Sequence, residues 1–333
     1  MLACIAVAQR GDAQDAAAPP VSVRLAHGWT NVFAGKPTKL DCQVTAQAAG
    51  AATLYWSVSL DRAVIARGER ALNLEANRAA DVSLDVDFPE LKPGLIVPAV
   101  VSLEVRTQGG LRAQRNVVLH VFSPDVTANR EQWLKSLEIA LFDPAGKTGT
   151  AFEASRVPFR IIEGPEVANG LIILGEGIEP ARQDASWQAA IASASSGRRV
   201  IVMASPGGTN PLNAVFAAKE GRPMAVSLRH TDVIRELDKR LDSVEWPLPG
   251  RLVAASLHWT AKGDAPVIEI RDDSAGWPWL DVRYTNGGRL VWTGLGLIES
   301  WETTPAARYL FVKLLEEMMI EKPEVKGTKH AAQ

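Results

Sequence analysis

The sequence predicts two folded units in series: an all-β sandwich over residues 21–122, then an α/β domain with a mainly parallel sheet over residues 137–320. Three observations carry that prediction. Between Val21 and Phe122 apolar and polar residues alternate with a period of two, and no helical stretch intervenes. Around Gly170 the pattern changes to short continuous apolar runs separated by a helical segment, as in strands buried on both faces of a parallel sheet. A chain of 333 residues also suits two cores better than one.

The first twenty residues are expected to lie outside both units. Met1 to Ala8 is apolar and ends in the cleavage-like Ala6-Val7-Ala8, so it reads as a truncated export leader, and the Ala-rich stretch up to Pro20 reads as a spacer. The sandwich strands follow as Val21–Leu25, Thr38–Val44, Thr53–Ser59, Val82–Phe88, Ala99–Val105 and Asn116–Phe122, with a hairpin turn at Gln108–Leu111. Trp56 stands in the third of these strands, where a sandwich of immunoglobulin-like type carries a core tryptophan. Cys42 has no partner in a facing strand and reads as a small buried hydrophobe.

Residues 123–136 read as a linker, with Ser123–Arg130 as its hinge. Strands are expected at Leu137–Asp143, Val157–Ile162, Gly170–Gly177 and Arg199–Gly208. A helix opens after Asp143-Pro-Ala-Gly146, and the crossover helix Trp187–Ser195 presents Ala189, Ala190, Ile191 and Ala194 and stops at Gly197. Further helices are expected at Asn210–Lys219, Asp232–Leu241 and Ala306–Glu317. Further strands are expected at Leu252–Trp259, Val267–Arg271, Leu280–Tyr284 and Leu290–Thr293. Residues 321–333 read as a charged tail.

The order of elements over Leu137–Met318, with two of its loops, resembles the class I glutamine amidotransferase-like family, which has a flavodoxin-like fold. In that family a strand ends in a G-x-C-x-G elbow that presents the nucleophile. The matching stretch here is Met203-Ala-Ser-Pro-Gly207, with Ser205 at the nucleophile position and the first glycine lost. The family's later loop carries a histidine and an acid before a Thr-Pro helix start. Here Gly294-Leu-Gly-Leu-Ile-Glu-Ser300 precedes Thr304-Pro305, so Leu297 stands at the histidine position and Glu299 keeps the acid. The resemblance therefore implies a degenerate triad, because leucine cannot take the proton from a serine hydroxyl. It also implies kinship with accessory modules found beside immunoglobulin-like domains in bacterial glycoside hydrolases.

Two function classes follow. The first is a non-catalytic interaction or accessory protein of the envelope or exterior, linked to carbohydrate processing. The second is a hydrolase of an amide, ester or glycan derivative that uses Ser205 with a base from elsewhere, His230 or His258. Loops after parallel strands share one crevice, so Glu176, Ser205, Gly207 and Glu299 are the candidate ligand contacts. Trp277 and Trp279, after the run Asp272-Asp-Ser274, either stack a sugar face over that crevice or fill a domain boundary. Glu176 is either an exposed capping carboxylate or a catalytic acid. Composition excludes more than it assigns. A net charge of -2 gives no pull toward nucleic acid, two cysteines and five histidines without ligand spacing give no metal site, and no cofactor fingerprint is present. No apolar run has the length of a membrane span. Expected partners are a protein or a second copy of the chain, and a glycan.

Overall fold

The computed structural model describes residues 20–165, 169–178, 184–212, 221–242, 247–253, 257–259, 268–270 and 276–320. The leader, the 321–333 tail and most of the expected Asn210–Lys219 helix lie outside them, as do Asp272, Asp273 and Ser274.

The N-terminal half is a β-sandwich. Strands β1 (Val21–Leu25), β3 (Pro37–Ala46) and β6 (Ala79–Asp87) form one sheet in the order β1-β3-β6. Strands β2 (Asn31–Phe33), β4 (Gly50–Leu60), β5 (Ala63–Leu74), β7 (Ile96–Thr107) and β8 (Gly110–Phe122) form the other, in the order β2-β8-β7-β4-β5. The alternation that predicted these strands is the alternation that buries them: Leu40, Cys42 and Val44 of one sheet meet Leu54, Val101 and Leu103 of the other in a common core. Burial pushes the Cys42 thiol up to about 12, with the neighbouring Asp41 carboxylate adding to it. Trp56 is half-buried at the margin of this core and lies across Gly68 of β5. A Cβ at position 68 would sit 2.8 Å from the indole.

Contacts with the C-terminal helix fasten Ser123–Arg130. Ser123, Val126 and Thr127 are buried. Tyr309 Oη donates to the Ser123 carbonyl at 3.3 Å, and Arg308 Nη1 to that of Pro124 at 3.1 Å. Phe122 and Val126 belong to the same core as the C-terminal helix.

The C-terminal half is built on a seven-stranded sheet comprising β9 (Ala140–Phe142), β10 (Arg160–Ile161), β11 (Leu171–Leu174), β12 (Arg199–Met203), β14 (Pro223–Arg229), β18 (Trp279–Tyr284) and β19 (Arg289–Thr293), in the order β10-β9-β11-β12-β19-β18-β14. Helices α1 (Glu131–Ser136), α2 (Lys147–Ala154), α4 (Asp232–Leu237) and α5 (Pro305–Met319) supply one core beside it, and α3 (Asp184–Ser195) packs Trp187, Ala190, Ile191 and Ala194 into the other.

This corrects the expectation of a flavodoxin-like, mainly parallel α/β domain. The sheet is mixed: β18 runs antiparallel to β19, and β14 antiparallel to β18. The remaining strands leave it for two small sheets, β13 (Thr209–Pro211) with β15 (Arg251–Val253), and β16 (Leu257–Trp259) with β17 (Ile268–Ile270). The reason is connection length. A parallel neighbour needs a crossover of a dozen or more residues. Only Thr285, Asn286, Gly287 and Gly288 separate β18 from β19, and Asn-Gly makes the tight hairpin that reverses the chain. Gly287 takes the left-handed φ of 85° that this turn requires.

Candidate functional site

The loops after β9, β11, β12 and β19 gather at the carboxyl ends of those strands, and several of their polar groups bond to one another. Asp143, closing β9, accepts from the Gly149 N–H at 2.7 Å and so caps the start of α2. Thr148 Oγ1 of that helix accepts from the Glu176 N–H at 2.8 Å. Glu176 in turn is only 4% exposed, and its carboxylate accepts from the main-chain N–H groups of Ile298, at 2.9 Å, and Glu299, at 2.8 Å. Burial holds its pKa above the ordinary carboxylate range, against the pull of those two N–H groups; the Glu299 charge adds to the rise and the Lys147 ammonium opposes it. Glycine at 175 allows this closeness, since a Cβ there would stand 2.8 Å from Asp143 Oδ1 and from Thr148 Oγ1.

The other sequence-derived residues fall in different places. Leu297 is 1% exposed and belongs to the core under α5. Ser205 is half-buried in a turn in which its carbonyl accepts from the Gly208 N–H at 3.2 Å. Gly207 donates its N–H to the Leu248 carbonyl at 2.8 Å in a left-handed conformation. Trp277 pairs its main chain with Leu252 and rests half-buried against the core on the α3 side. Trp279 is 4% exposed and sits in the opposite core, so its ring offers no open face. The side chain of His258 lies outside the described residues, and His230 is exposed at the start of α4. The structure thus joins Glu176 to the Glu299 main chain and sets the two tryptophans against opposite cores.

The Glu299 side chain points elsewhere. It is exposed and lines a cleft of about 620 Å³ between the sandwich and the segment Glu299–Thr304. The sandwich contributes Trp29, Lys36, Thr38 and Lys39; the opposite wall contributes Glu299, Glu302 and Thr303. Sequence reasoning missed the sandwich half of this site. Its one visible signal was an aromatic and two lysines clustered around a short strand, Trp29 to Lys39.

Below the cleft the two halves are clasped. Asp242, 7% exposed, accepts from the Thr30 N–H at 2.7 Å, the Thr30 hydroxyl at 2.6 Å and the Asn31 N–H at 2.7 Å. Asn31 Oδ1 accepts from the Asp242 N–H at 2.9 Å, and Asn31 Nδ2 donates to the Arg240 carbonyl at 2.8 Å. Arg308 reaches across to lie 5.0 Å from the Phe33 ring centroid while pairing with Glu302 at 2.7 Å. Among the described residues no group of histidine, cysteine and carboxylate side chains is placed to hold a metal ion, and no helix is long and apolar enough to cross a membrane.

The fold and site therefore define a β-sandwich clasped to a mixed-sheet α/β unit, with a polar cleft at the seam. No protein family and no curated protein matches the chain. Among solved structures it overlaps a glycosyl hydrolase family 2 member from Bacteroides cellulosilyticus in two crystal structures. One match has 11% identity, covers 70% of this chain and 35% of that one, and has a TM-score of 0.28. The other has 10% identity, 71% and 37% coverage, and a TM-score of 0.26. A sporulation control protein from Bacillus subtilis overlaps at 12% identity over 35% of this chain and 55% of its own, with a TM-score of 0.25. The chain spans from 13% to 55% of the length of these and similar solved chains. Overlaps at such TM-scores carry no argument about fold or activity, and the amidotransferase resemblance finds no support in them.

Proposed function

We propose that the chain is a non-catalytic accessory or interaction protein of the cell envelope or exterior, acting on a partner or on carbohydrate through its interdomain cleft. One observation carries the reading. The carboxylate at the sheet end, Glu176, accepts the Ile298 and Glu299 N–H groups on its two oxygens, which commits it to tethering the Glu299 loop. A serine with no adjacent base remains a weak nucleophile. The same bonds turn the Glu299 side chain outward into the cleft, converting a loop expected to serve chemistry into a wall that serves recognition.

The test is hydrolysis of glutamine, a nitrophenyl ester panel and nitrophenyl glycosides by wild type and Ser205→Ala. Turnover is expected at background in both. Turnover abolished by Ser205→Ala would reinstate the hydrolase.

A further inference from the structure

We infer that the seam cleft binds a carboxylated saccharide, with the acid group on the sandwich lip and ring hydroxyls on the opposite lip. This rests on the non-catalytic reading only in holding that the sugar leaves uncleaved.

The charges are segregated by wall. Lys36 and Lys39 are exposed on the sandwich side, and neither is ion-paired among the described residues; Lys36 Nζ is held 4.5 Å from the Phe33 ring centroid. Across the cleft Glu299 is exposed without a cationic partner among the described residues, while Glu302 gives one oxygen to Arg308 at 2.7 Å. The lysines and glutamates line the same space yet form no ion pair across it. A ligand that satisfies both walls presents an anion to one and hydrogen-bond donors to the other. A neutral sugar leaves the ammonium groups unmatched, and a polyanion is repelled by the glutamates.

The aromatic element favours a sugar over a zwitterionic peptide. The Trp29 indole, half-buried against the sandwich core, is backed by the His27 imidazole, with centroids 3.4 Å apart and planes within 2°, and so contributes a stiff aromatic to the cleft lining. Such a surface suits the C–H face of a pyranose. Thr38 and Thr303 add hydroxyls beside it. The volume of about 620 Å³ lies inside the ordinary range for small-ligand sites. Both walls are also held before any ligand arrives, one by the Glu176 bonds to the Glu299 loop and the other by the Asp242 clasp on Thr30 and Asn31. Such preorganisation lowers the ordering cost of binding.

The experiment is calorimetric titration of the full chain with glucuronosyl-xylobiose, which carries one carboxylate, its neutral counterpart xylotriose and a Lys-Glu dipeptide. Glucuronosyl-xylobiose is expected to bind, with xylotriose weaker by about tenfold or more. Affinity for the acid should fall about tenfold in Lys36→Ala/Lys39→Ala, and again in Trp29→Ala. The lysines are exposed, so their variant keeps the fold, and Lys36→Arg/Lys39→Arg should retain binding. No binding, binding indifferent to the lysine pair, or preference for the dipeptide would each overturn the inference. Shortened glucuronosyl-xylobiose products with cleft binding intact would overturn the non-catalytic reading alone.

Discussion

Replacing Glu176 with alanine removes the acceptor from two main-chain donors at once. The Ile298 and Glu299 N–H groups, at 2.9 and 2.8 Å from the carboxylate, lie in a part-buried wall. Each donor left without a partner costs about 1–3 kcal/mol. Against this stands the penalty already levied on the ionised carboxylate by its burial, the first cause of its raised pKa. The net loss should be about 2–4 kcal/mol. Urea denaturation followed by tryptophan fluorescence measures it, with Trp301 just beyond the tethered segment as reporter. A loss under about 0.5 kcal/mol would refute the reasoning, since surface changes without structural consequence fall in that range.

The same residue gives a pH signature through Glu176→Gln. Because the folded-state pKa is raised, the native chain binds this proton more tightly than the unfolded chain. Stability from this group is therefore greatest below the ordinary carboxylate value and declines as pH rises through the folded pKa. Glutamine does not titrate, so the stability gap between wild type and variant should narrow from acid toward neutral pH. A gap that widens would reverse the sign of the argument.

Three further outcomes are expected. Asp242→Ala, which strips the acceptor from Thr30 and Asn31, should cost about 2–4 kcal/mol and split calorimetric unfolding into two transitions; one transition at an unchanged Tm would count against the clasp. Cys42, buried with a thiol pKa of about 12, should resist alkylation at pH 8 in the native protein and react only on unfolding, so rapid native labelling would contradict its place in the core. Limited proteolysis should spare Ser123–Arg130 until global unfolding, and an early cut mapped there would show that the fastened junction opens.

What the sequence revealed divides by whether a residue's role is local. The sandwich strands with one wet and one dry face were legible, because burial and alternation are the same fact at Leu40-Asp-Cys-Gln-Val44. β5 was not: it is an edge strand exposed along much of its length, and its inward position 68 is a glycine that receives the Trp56 ring instead of supplying a side chain. β14 escaped for a similar reason, with Pro223 opening a strand at the border of its sheet. The direction of β18 was written in Asn286-Gly287-Gly288, a signal outweighed by the apolar runs that suggested a parallel sheet. Glu176 was visible at its strand end, but its partners lie 122 and 123 positions away, where no periodicity reaches. Trp29 and the lysines became a site only when the Glu299 segment was folded against them.

The Asp242 clasp also sets a timetable for synthesis. Asn31 and Asp242 are 211 positions apart, so the carboxylate that fixes β2 is translated long after β2 and its neighbour β8. At about 5–20 residues per second, the ribosome takes on the order of 10 s to pass from Phe122 to Asp242. During that interval β2, three residues long, is held by its ladder to β8 and by Val32 in the sandwich core, without the Asp242 bonds. The nascent sandwich thus carries an unlatched border strand through the most crowded moment of its existence, when neighbouring chains on the same message offer the same strand. An unlatched strand there leaves the β8 border open to pairing between copies. Slow elongation between Phe122 and Asp242 would prolong that exposure, and swift passage would shorten it.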